Sequence, residues 1–531
     1  MTIENTAQVV EDPDIRLLEE MGYKQELYRG FSPFMSFAFC FTAVNVLTSI
    51  SIGFTYSLTT GGSGVTIWAW VLGSLFTILI GLSLAEICSV YPSAGSVYHW
   101  AGQLVPVDHA PLASFICGWF NFVGNFAGDV AFASGFATIV NAAVIMGGNN
   151  SLNTGAQVGI GIGICFVWAA QNALRIDQQG WLNNIAVFFQ LGSAITIVVV
   201  LFSMAPKRAT AYDVFASTYN GTGFSFPYVC VISILSTLFS FSGYEAGAHL
   251  AEETRGASRA APKGIVGTCI CSAITGFVYL LALLFSIPDM NNFIMISDGA
   301  DSTQSSTTDA YRAAVPYGGA LALTILLIIN LYFAGMSSLT VTSRIGFAMA
   351  RDGVFPLSIY LRWIFEPTKT PLGNVIFVFF INSLLLLLQL ASKTAFSAIL
   401  SIATLGYQIS YFMPILFRCT TARRNFPIGE FNLGRFGVPI AIISATWLFI
   451  TSIIMLFPSE YPVTKDNMNY AVVIVGGIFL LAAMYWIFSA RHWFVGPKRT
   501  TANSNELPLN PISISDIKEI KTSPSLIHVR L

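Results

Sequence analysis

Long apolar stretches recur along almost the whole chain, and this pattern constrains the fold more than any other feature. Each stretch has about 20 residues, the length of a helix that crosses the roughly 30 Å hydrocarbon core of a bilayer. Only 10% of the 531 residues are charged, compared with about a quarter in soluble domains. The stretches are continuous and do not alternate, which argues against a β-barrel. The pattern predicts an all-α polytopic membrane protein.

The sequence predicts twelve membrane spans with short loops. They lie near 34–60, 64–91, 112–145, 156–174, 180–204, 226–251, 264–287, 317–349, 373–391, 395–417, 437–457 and 469–489. The predicted regions are an N-terminal tail at 1–33, a ten-span core at 34–417 with halves 34–204 and 226–417, spans 11 and 12 at 437–489, and a C-terminal tail at 490–531. No separate soluble domain is expected.

The basic residues predict that both tails are cytoplasmic. All but five of the 26 Lys and Arg then fall on the inner side, as the positive-inside rule requires. The five predicted on the outer side are Lys207, Arg208, Arg312, Lys393 and Lys465. The sequons at Asn149 and Asn220 fall in outer loops, so both are predicted glycosylation sites. The plasma membrane is the expected location, with the vacuolar or endolysosomal membrane as the alternative.

Composition also bears on partners. The formal net charge of −1 gives no reason to expect a nucleic-acid partner. The eight Cys are scattered and lack the spacing of a disulfide or a metal site. The expected partners are the lipid bilayer and a small amine or amino acid. No metal or cofactor is predicted, apart from a possible coupling H⁺ or Na⁺, and the oligomeric state is left open.

The stretch FSFSGYEAGAHLAEETRG, residues 239–256, interrupts span 6. Ser242 and Gly243 weaken a helix, and irregular backbone at membrane depth persists only where it is buried or lines a cavity. Glu245 follows directly, and a carboxylate there costs about 2.5–3.5 kcal/mol. The stretch predicts a substrate-binding and gating element; the alternative is a kink with a protonated, hydrogen-bonded Glu. His249, one turn further, is either a packing residue or part of a proton path.

Span 1 has a similar polar region, VNVLTSISIGF at 44–54. Taken alone, its hydroxyl groups could simply bond to the preceding turn. However, spans 1 and 6 are the first members of two groups of five. Paired interruptions at corresponding positions are typical of an inverted-repeat transporter, with its site between them.

Spans 3 and 8 add further polar candidates. Asn121, Asn125 and Asp129 are spaced four apart and share one helix face. Asp129 is predicted either to face a central cavity and attract a cationic amine, or to make an interhelical hydrogen bond. Ser337 and Ser338 could offer oxygens to a ligand or Na⁺, or could hold helices together.

Three motifs resemble the amino acid–polyamine–organocation superfamily of secondary transporters: LAEICSVYPSAGSVYHW, FSFSGYEAGAHLAEE and TSRIGFAMARDGVFP. The stretches SIATLGYQISYFMPILFR, FNLGRFG and YWIFSARHWFVGP resemble the amino acid/choline transporter branch. That branch includes fungal choline and γ-aminobutyric acid (GABA) permeases and plant bidirectional amino acid transporters. The resemblance covers roughly residues 30–497.

The resemblance implies a leucine-transporter-like fold, in which helices 1–5 and 6–10 are inverted repeats and helices 1 and 6 are broken. It implies transport of amino acids, GABA or choline-like amines between those breaks, near helices 3 and 8. The implied substrate contacts are Leu47, Thr48, Ser49, Ile50, Phe241, Ser242, Gly243, Tyr244 and Glu245, with Asn125 and Asp129 nearby.

The chain departs from the branch at several positions. The branch usually has Gly where Ser49 stands, Pro where Ser63 stands and Asp where Glu245 stands. Some superfamily members have a Lys in helix 5, and the branch often has a His near it, where this chain has Gln190. Because Gln cannot titrate, coupling is expected either through Glu245 or not at all, which would leave exchange or facilitated flux.

The sequence favours a secondary-active permease for amino acids or GABA. Backbone amides at the start of the inner half of helix 1 are expected to bind a carboxylate, and carbonyls of the helix 6 break an ammonium group. Phe241 or Tyr244 could instead stack on a quaternary ammonium, which would suit choline. An amino acid sensor that does not transport is the alternative of another class. A channel is disfavoured because no charged ring is seen, and an enzyme because no nucleophile–base pair is seen.

Overall fold

The structure, a computed structural model, describes residues 13–297, 303–391, 393–465 and 467–499. These residues form twenty α-helices and no β-strand, apart from isolated bridges. The helices are α1 (Pro13–Glu20), α2 (Pro33–Val44), α3 (Val46–Val90), α4 (Ser96–Gln103), α5 (Ala110–Met146), α6 (Thr154–Asn172), α7 (Ile176–Met204), α8 (Ala211–Phe215), α9 (Phe226–Ile232), α10 (Ile234–Ser240), α11 (Ala246–His249), α12 (Ala257–Phe285), α13 (Met290–Ser297), α14 (Ser306–Ala314), α15 (Tyr317–Arg351), α16 (Ser358–Leu361), α17 (Leu372–Ala391), α18 (Lys393–Cys419), α19 (Gly437–Ile454) and α20 (Ala471–Phe488).

Nine helical segments in the described ranges are long and apolar enough to cross a membrane. One of them, Pro33–Val90, has 58 residues, about twice the length that a single crossing needs. The helical, multi-pass architecture is therefore confirmed. The count of twelve spans and the inverted repeat remain predictions.

Helix α3 is bent at Gly62, which has φ 72° and ψ −171°. Glycine adopts such angles without the steric penalty of a Cβ. A Cβ here would lie 2.5 Å from the backbone nitrogen of Tyr219. The bend falls between the first two predicted spans, at 34–60 and 64–91, and divides α3 into two parts.

Helix α5 packs against α18, α15 and α4. At the contact with α18, a Cβ on Gly406 would lie 2.7 Å from the Cα of Gly124. The two backbones therefore touch, as small residues allow in membrane helix pairs. This contact brings the polar faces of α5 and α18 beside the break between α10 and α11.

Candidate functional site

The first helix break is at Asn45, between α2 and α3. Asn45 has φ 32° and ψ 69°, a left-handed conformation that Asn tolerates better than most residues. Its side chain accepts a hydrogen bond from the Thr48 N–H at 3.4 Å and donates one to the Asn330 carbonyl at 3.1 Å. The break therefore frees the N-terminus of α3, the second half of span 1. That the freed amides start the inner half depends on the membrane orientation and stays a prediction.

The second break lies between Ser240, the last residue of α10, and Ala246, the first of α11. Gly243 in this break has φ 88°, which favours glycine. Its backbone N–H donates to the Tyr411 hydroxyl at 3.1 Å. Helix α18 thus anchors the irregular backbone.

A small cavity lies between the two breaks. Its free volume of about 20 Å³ suits about one water molecule, so this is a closed conformation. Among the described residues, no charged side chain lines it. The lining residues are Ala43, Ser49, Asn125, Gly128, Phe132, Phe239, Ser242, Gly243, Ser338, Val341, Ala403 and Tyr407.

Of the four span 1 residues implied as contacts, Ser49 alone is in that lining. Leu47 and Ile50 pack in the apolar core, and the Thr48 hydroxyl bonds to the Asn45 carbonyl at 2.9 Å. All four are helical residues of α3. The sequence therefore placed the contacts too broadly along span 1.

Two aromatic candidates of span 6 are engaged elsewhere. Phe241 stacks on Trp70, and Tyr244 lies against Tyr411, each with ring centroids 5.0 Å apart. Neither ring lines the cavity, so the expected stacking on a quaternary ammonium has no support at these residues. The aromatic side chains in the lining are Phe132, Phe239 and Tyr407.

Glu245 is the last residue of the break, directly before α11, and is completely buried. The Tyr411 hydroxyl donates to Oε2, and the Asn121 amide donates to Oε1 at 3.4 Å. Because Tyr411 also accepts from the Gly243 N–H, its hydroxyl links this carboxyl group to the Gly243 backbone. Glu245 does not line the cavity itself.

Asp129 lies one side chain away from the cavity. Its Oδ1 accepts from the Ser338 hydroxyl at 2.5 Å, and its Oδ2 accepts from the Asn382 amide at 3.0 Å. Ser338 lines the cavity and separates it from the carboxylate. The structure therefore favours the interhelical hydrogen bond over direct contact between Asp129 and substrate.

Gln190 and Ser337, two residues considered for coupling, are not hydrogen-bonded to each other. The Ser337 hydroxyl donates instead to the Asn183 side chain at 2.7 Å, seven residues before Gln190 on α7. Gln190 is buried, and its amide atoms have no hydrogen-bond partner among the described residues. Asn183 is therefore the α7 residue that faces Ser337.

Two tyrosines of α18, Tyr407 and Tyr411, belong to the site although no role was predicted for them from the sequence. Tyr407 donates to the Asn125 side chain at 2.7 Å, and Tyr411 contacts both Gly243 and Glu245. They are spaced four apart within a quoted family motif. That spacing in an apolar span is the signal that could have revealed them.

Two ion pairs involve Glu252 and Glu253, which follow α11 in the chain. The Arg351 guanidinium donates to both oxygens of Glu252 at 2.7 and 2.9 Å. Arg344 and Glu253, both fully buried, form a second pair at 3.0 Å. Burial raises the pKa of Glu252, but Arg351 outweighs burial and holds that pKa below its usual value. We refer to these four residues as the inner gate.

Both ends of the described chain cover the inner gate. The Tyr23 hydroxyl donates to Asp352 at 3.1 Å, and the Tyr23 ring lies 4.1 Å from the Arg351 guanidinium. The backbone N–H of Lys498 donates to the same Tyr23 hydroxyl at 3.0 Å. The N-terminal and C-terminal segments therefore meet at one tyrosine. Tyr98 also donates to Asp352, at 3.0 Å.

Asp352 gives a pH-dependent prediction. Burial raises its pKa from 3.8 to about 6, so the folded protein holds this proton more tightly than the unfolded chain does. Its contribution to stability is full below about pH 4 and is lost as pH rises through about 6. The shift corresponds to about 3 kcal/mol at most. We expect Asp352→Asn to gain thermal stability relative to wild type as pH rises from 4 to 7. Parallel unfolding curves in detergent would contradict this.

The two predicted glycosylation residues, Asn149 and Asn220, are exposed in loops that follow α5 and precede α9. Residues 500–531 of the predicted C-terminal tail and residues 1–12 of the N-terminal tail lie outside the described residues.

Comparisons with known proteins give one consistent result. The sequence profile of a family described as "Amino acid permease" matches residues 31–479. The amino-acid permease BAT1 of Arabidopsis thaliana is 33% identical, covering 92% of this chain and 97% of the relative. Its homologue from Oryza sativa subsp. japonica is 35% identical, covering 90% and 94%. A putative polyamine transporter of Candida albicans is 30% identical, covering 92% and 89%.

Proposed function

Because this chain belongs to the amino acid permease family, we propose that it carries amino acids, GABA among them, across its membrane by alternating access. It is a multi-pass membrane transporter and not an enzyme. We further propose that it acts in the plasma membrane, with both termini in the cytoplasm.

The observation that carries this proposal is the cavity between the two helix breaks. The N-terminus of α3, near Ser49, presents the positive end of a helix dipole, which attracts a carboxylate. The C-terminus of α10, just before Ser242 and Gly243, presents carbonyl groups and the negative end of a second helix dipole. Both suit an ammonium group. A substrate with one group of each kind fits this arrangement.

The two buried carboxyl groups support an amine-bearing substrate. Ser338 of the lining separates Asp129 from the cavity, and Tyr411, which bonds to the lining residue Gly243, lies between that residue and Glu245. When ionised, either carboxylate would favour a cation in the cavity through space. Without a carboxylate in the lining, however, the site suits a zwitterion better than a polyamine with several charges.

The closed cavity and the inner gate support alternating access. The cavity holds about one water molecule, so an amino acid can enter only after helices move apart. The inner gate is closed by its two ion pairs and is covered by both ends of the described chain. Opening the cavity to the outside and opening it to the cytoplasm therefore require different contacts to break.

Counterflow in proteoliposomes tests the proposal. Labelled GABA, neutral and basic amino acids, choline and a polyamine are each exchanged against the unlabelled compound, with and without pH and sodium gradients. We expect accumulation of an amino acid. A sensor that does not transport gives no flux with any compound, and that result would refute the proposal. Flux of choline alone, or of the polyamine alone, would show that this compound's class, and not amino acids, is the substrate.

Two adjacent serines provide a matched pair for the same assay. Ser338→Ala removes a hydroxyl from the cavity lining and a donor to Asp129, so we expect KM to rise about fivefold, as for one lost hydrogen bond of about 1 kcal/mol. Ser337→Ala removes a hydroxyl that bonds to Asn183, and KM should stay within about twofold. Equal effects of the two variants would contradict the assignment of the lining.

A further inference from the structure

The imidazole of His249 contacts both Glu245 in the helix 6 break and Ala94 in the segment between α3 and α4. Its Nδ1 lies 3.1 Å from the backbone carbonyl of Ala94, and its Nε2 lies 3.7 Å from Glu245 Oε1. The side chains of His249 and Glu245 are both fully buried. His249 is not among the residues that line the cavity.

The contact with Ala94 determines which ring nitrogen carries the proton. A carbonyl oxygen can only accept, so Nδ1 must donate. In the neutral ring, Nε2 then has a lone pair and no hydrogen. Nε2 has no hydrogen-bond partner among the described residues, although it is fully buried. Its nearest ionisable neighbour is the carboxyl group of Glu245.

The 3.7 Å between Nε2 and Glu245 Oε1 is an ion-pair distance, too long for a hydrogen bond. A proton can move from Glu245 to His249 once the ring approaches the carboxyl group: the O–H bond breaks as an N–H bond forms on Nε2, which leaves a carboxylate and an imidazolium. Because both side chains are fully buried in this closed state, the proton is taken up from water on the outer side and released to water on the cytoplasmic side in open conformations.

Ala94 connects the pair to the inner gate. Its carbonyl accepts from His249, and its own N–H donates to Glu252 Oε1 at 3.1 Å. Glu252 is the carboxylate held by Arg351. Ala94, in the segment between α3 and α4, is therefore held by two hydrogen bonds. One joins its carbonyl to the His249 imidazole, and the other joins its N–H to Glu252 of the inner gate.

Other ionisable groups surround these residues. Tyr407 and Tyr411 of α18, Cys40 of α2, Cys269 of α12 and Tyr244 interact electrostatically with Glu245. The charged or titratable groups at the gate are its own four residues, Glu252, Glu253, Arg344 and Arg351, together with Asp352, His99, Tyr23 and Tyr98. Burial lowers the pKa of His99 to about 4, so that ring stays neutral at physiological pH. His249 is the ring that contacts both Glu245 and Ala94.

We propose that His249 is a positioning residue that transmits the protonation state of Glu245 to the inner gate through Ala94. As an imidazolium it is held by the carboxylate at ion-pair distance and donates from Nδ1 to the Ala94 carbonyl, which keeps the gate closed. After the proton leaves, the attraction to Glu245 is lost, and the ring, which still donates from Nδ1 to Ala94, can move with that carbonyl and loosen the gate. The inference rests on the proposed function and adds its coupling step.

Two substitutions separate the functions of the ring. His249→Asn places an amide near the position of Nδ1, so it can still donate to Ala94 but cannot take a proton. His249→Gln reaches toward Glu245 and loses the bond to Ala94. Each full-length variant is reconstituted and tested for counterflow and for uptake driven by an inward proton gradient. Hydrogen–deuterium exchange of residues 91–103, corrected for the chemical effect of pH, reports on the gate.

In wild type we expect the gradient to raise uptake at least fivefold, and exchange at 91–103 to increase as pH rises. His249→Asn should keep counterflow within about twofold and lose both pH responses. His249→Gln should show fast exchange at 91–103 at every pH. The inference is overturned if His249→Asn keeps the wild-type pH responses, or if wild-type exchange at 91–103 does not respond to pH. Counterflow without a gradient effect in wild type would refute this inference alone, whereas no counterflow at all would refute the proposed function.

Discussion

Gly243→Ala is expected to lower the initial rate of amino acid uptake about tenfold. At its φ of 88°, a residue with a Cβ is strained by about 1–2 kcal/mol, and 1.4 kcal/mol corresponds to a factor of ten. The new methyl group would also lie 3.7 Å from the Tyr407 hydroxyl, in a cavity with room for about one water molecule. Both effects act on the site that is proposed to bind substrate.

Gly256→Ala is the matched control. Gly256 also has a positive φ, 61°, but a Cβ there would meet no described atom within 4 Å. Both variants place a Cβ at a positive φ, although 61° lies within the left-handed region that residues with a Cβ can adopt and 88° lies beyond it. Only the change at Gly243 alters the cavity. Rates are measured in proteoliposomes and normalised to reconstituted protein. Uptake that falls equally in both variants would assign the loss to strain alone.

Arg344→Met is expected to destabilise the fold by about 3–5 kcal/mol, because it leaves the Glu253 carboxylate buried without its partner. Both side chains of this pair are fully buried. A loss of that size is a large part of the total stability of a typical protein. We expect a lower unfolding temperature in detergent and a smaller monodisperse fraction after extraction.

The double variant Arg344→Met/Glu253→Gln should recover most of that loss, because no unpaired charge remains. Arg259→Met breaks an exposed pair with Glu430, whose side chains are 70% and 41% exposed, and should change stability by less than about 1 kcal/mol. If Arg344→Met is no less stable than Arg259→Met, the buried pair does not contribute as proposed.

Local sequence signals predicted the helix 6 break well. Gly243 adopts the positive φ for which glycine is suited, and it lies two residues before the buried Glu245. In span 1 the signal was less specific, because hydroxyl groups can bond to their own helix. Ser51 does so, to the carbonyl of Leu47, whereas Ser49 donates across the break to Val44, the last residue of α2. The break itself falls at Asn45.

Helix geometry explains why Asp129 makes the interhelical hydrogen bonds of its second predicted alternative. Residues four apart share a face only approximately, since each residue turns by 100°. Between Asn121 and Asp129 the drift reaches about 80°. Asn121 therefore faces α18, where it contacts Ser410, whereas Asp129 faces α15 and α17.

The contacts of Tyr411 and Asn183 could not be read from local patterns. Tyr411 meets Glu245 across 166 positions of sequence, and Asn183 meets Ser337 across 154. Such contacts depend on how whole helices are placed beside one another. Spacing within one helix predicts which residues share a face, but it does not identify the helix that the face will meet.

The touching backbones of Gly124 and Gly406 have a mechanical consequence. With no side chains between them, α5 and α18 cannot slide past each other without a clash, so we expect them to travel as a single rigid body during the transport cycle. Tyr407 and Tyr411 would then be carried with α5, and the backbone of Gly243 would belong to the opposing body. The hydrogen bond from Gly243 to Tyr411 would lie on the seam along which the two bodies separate.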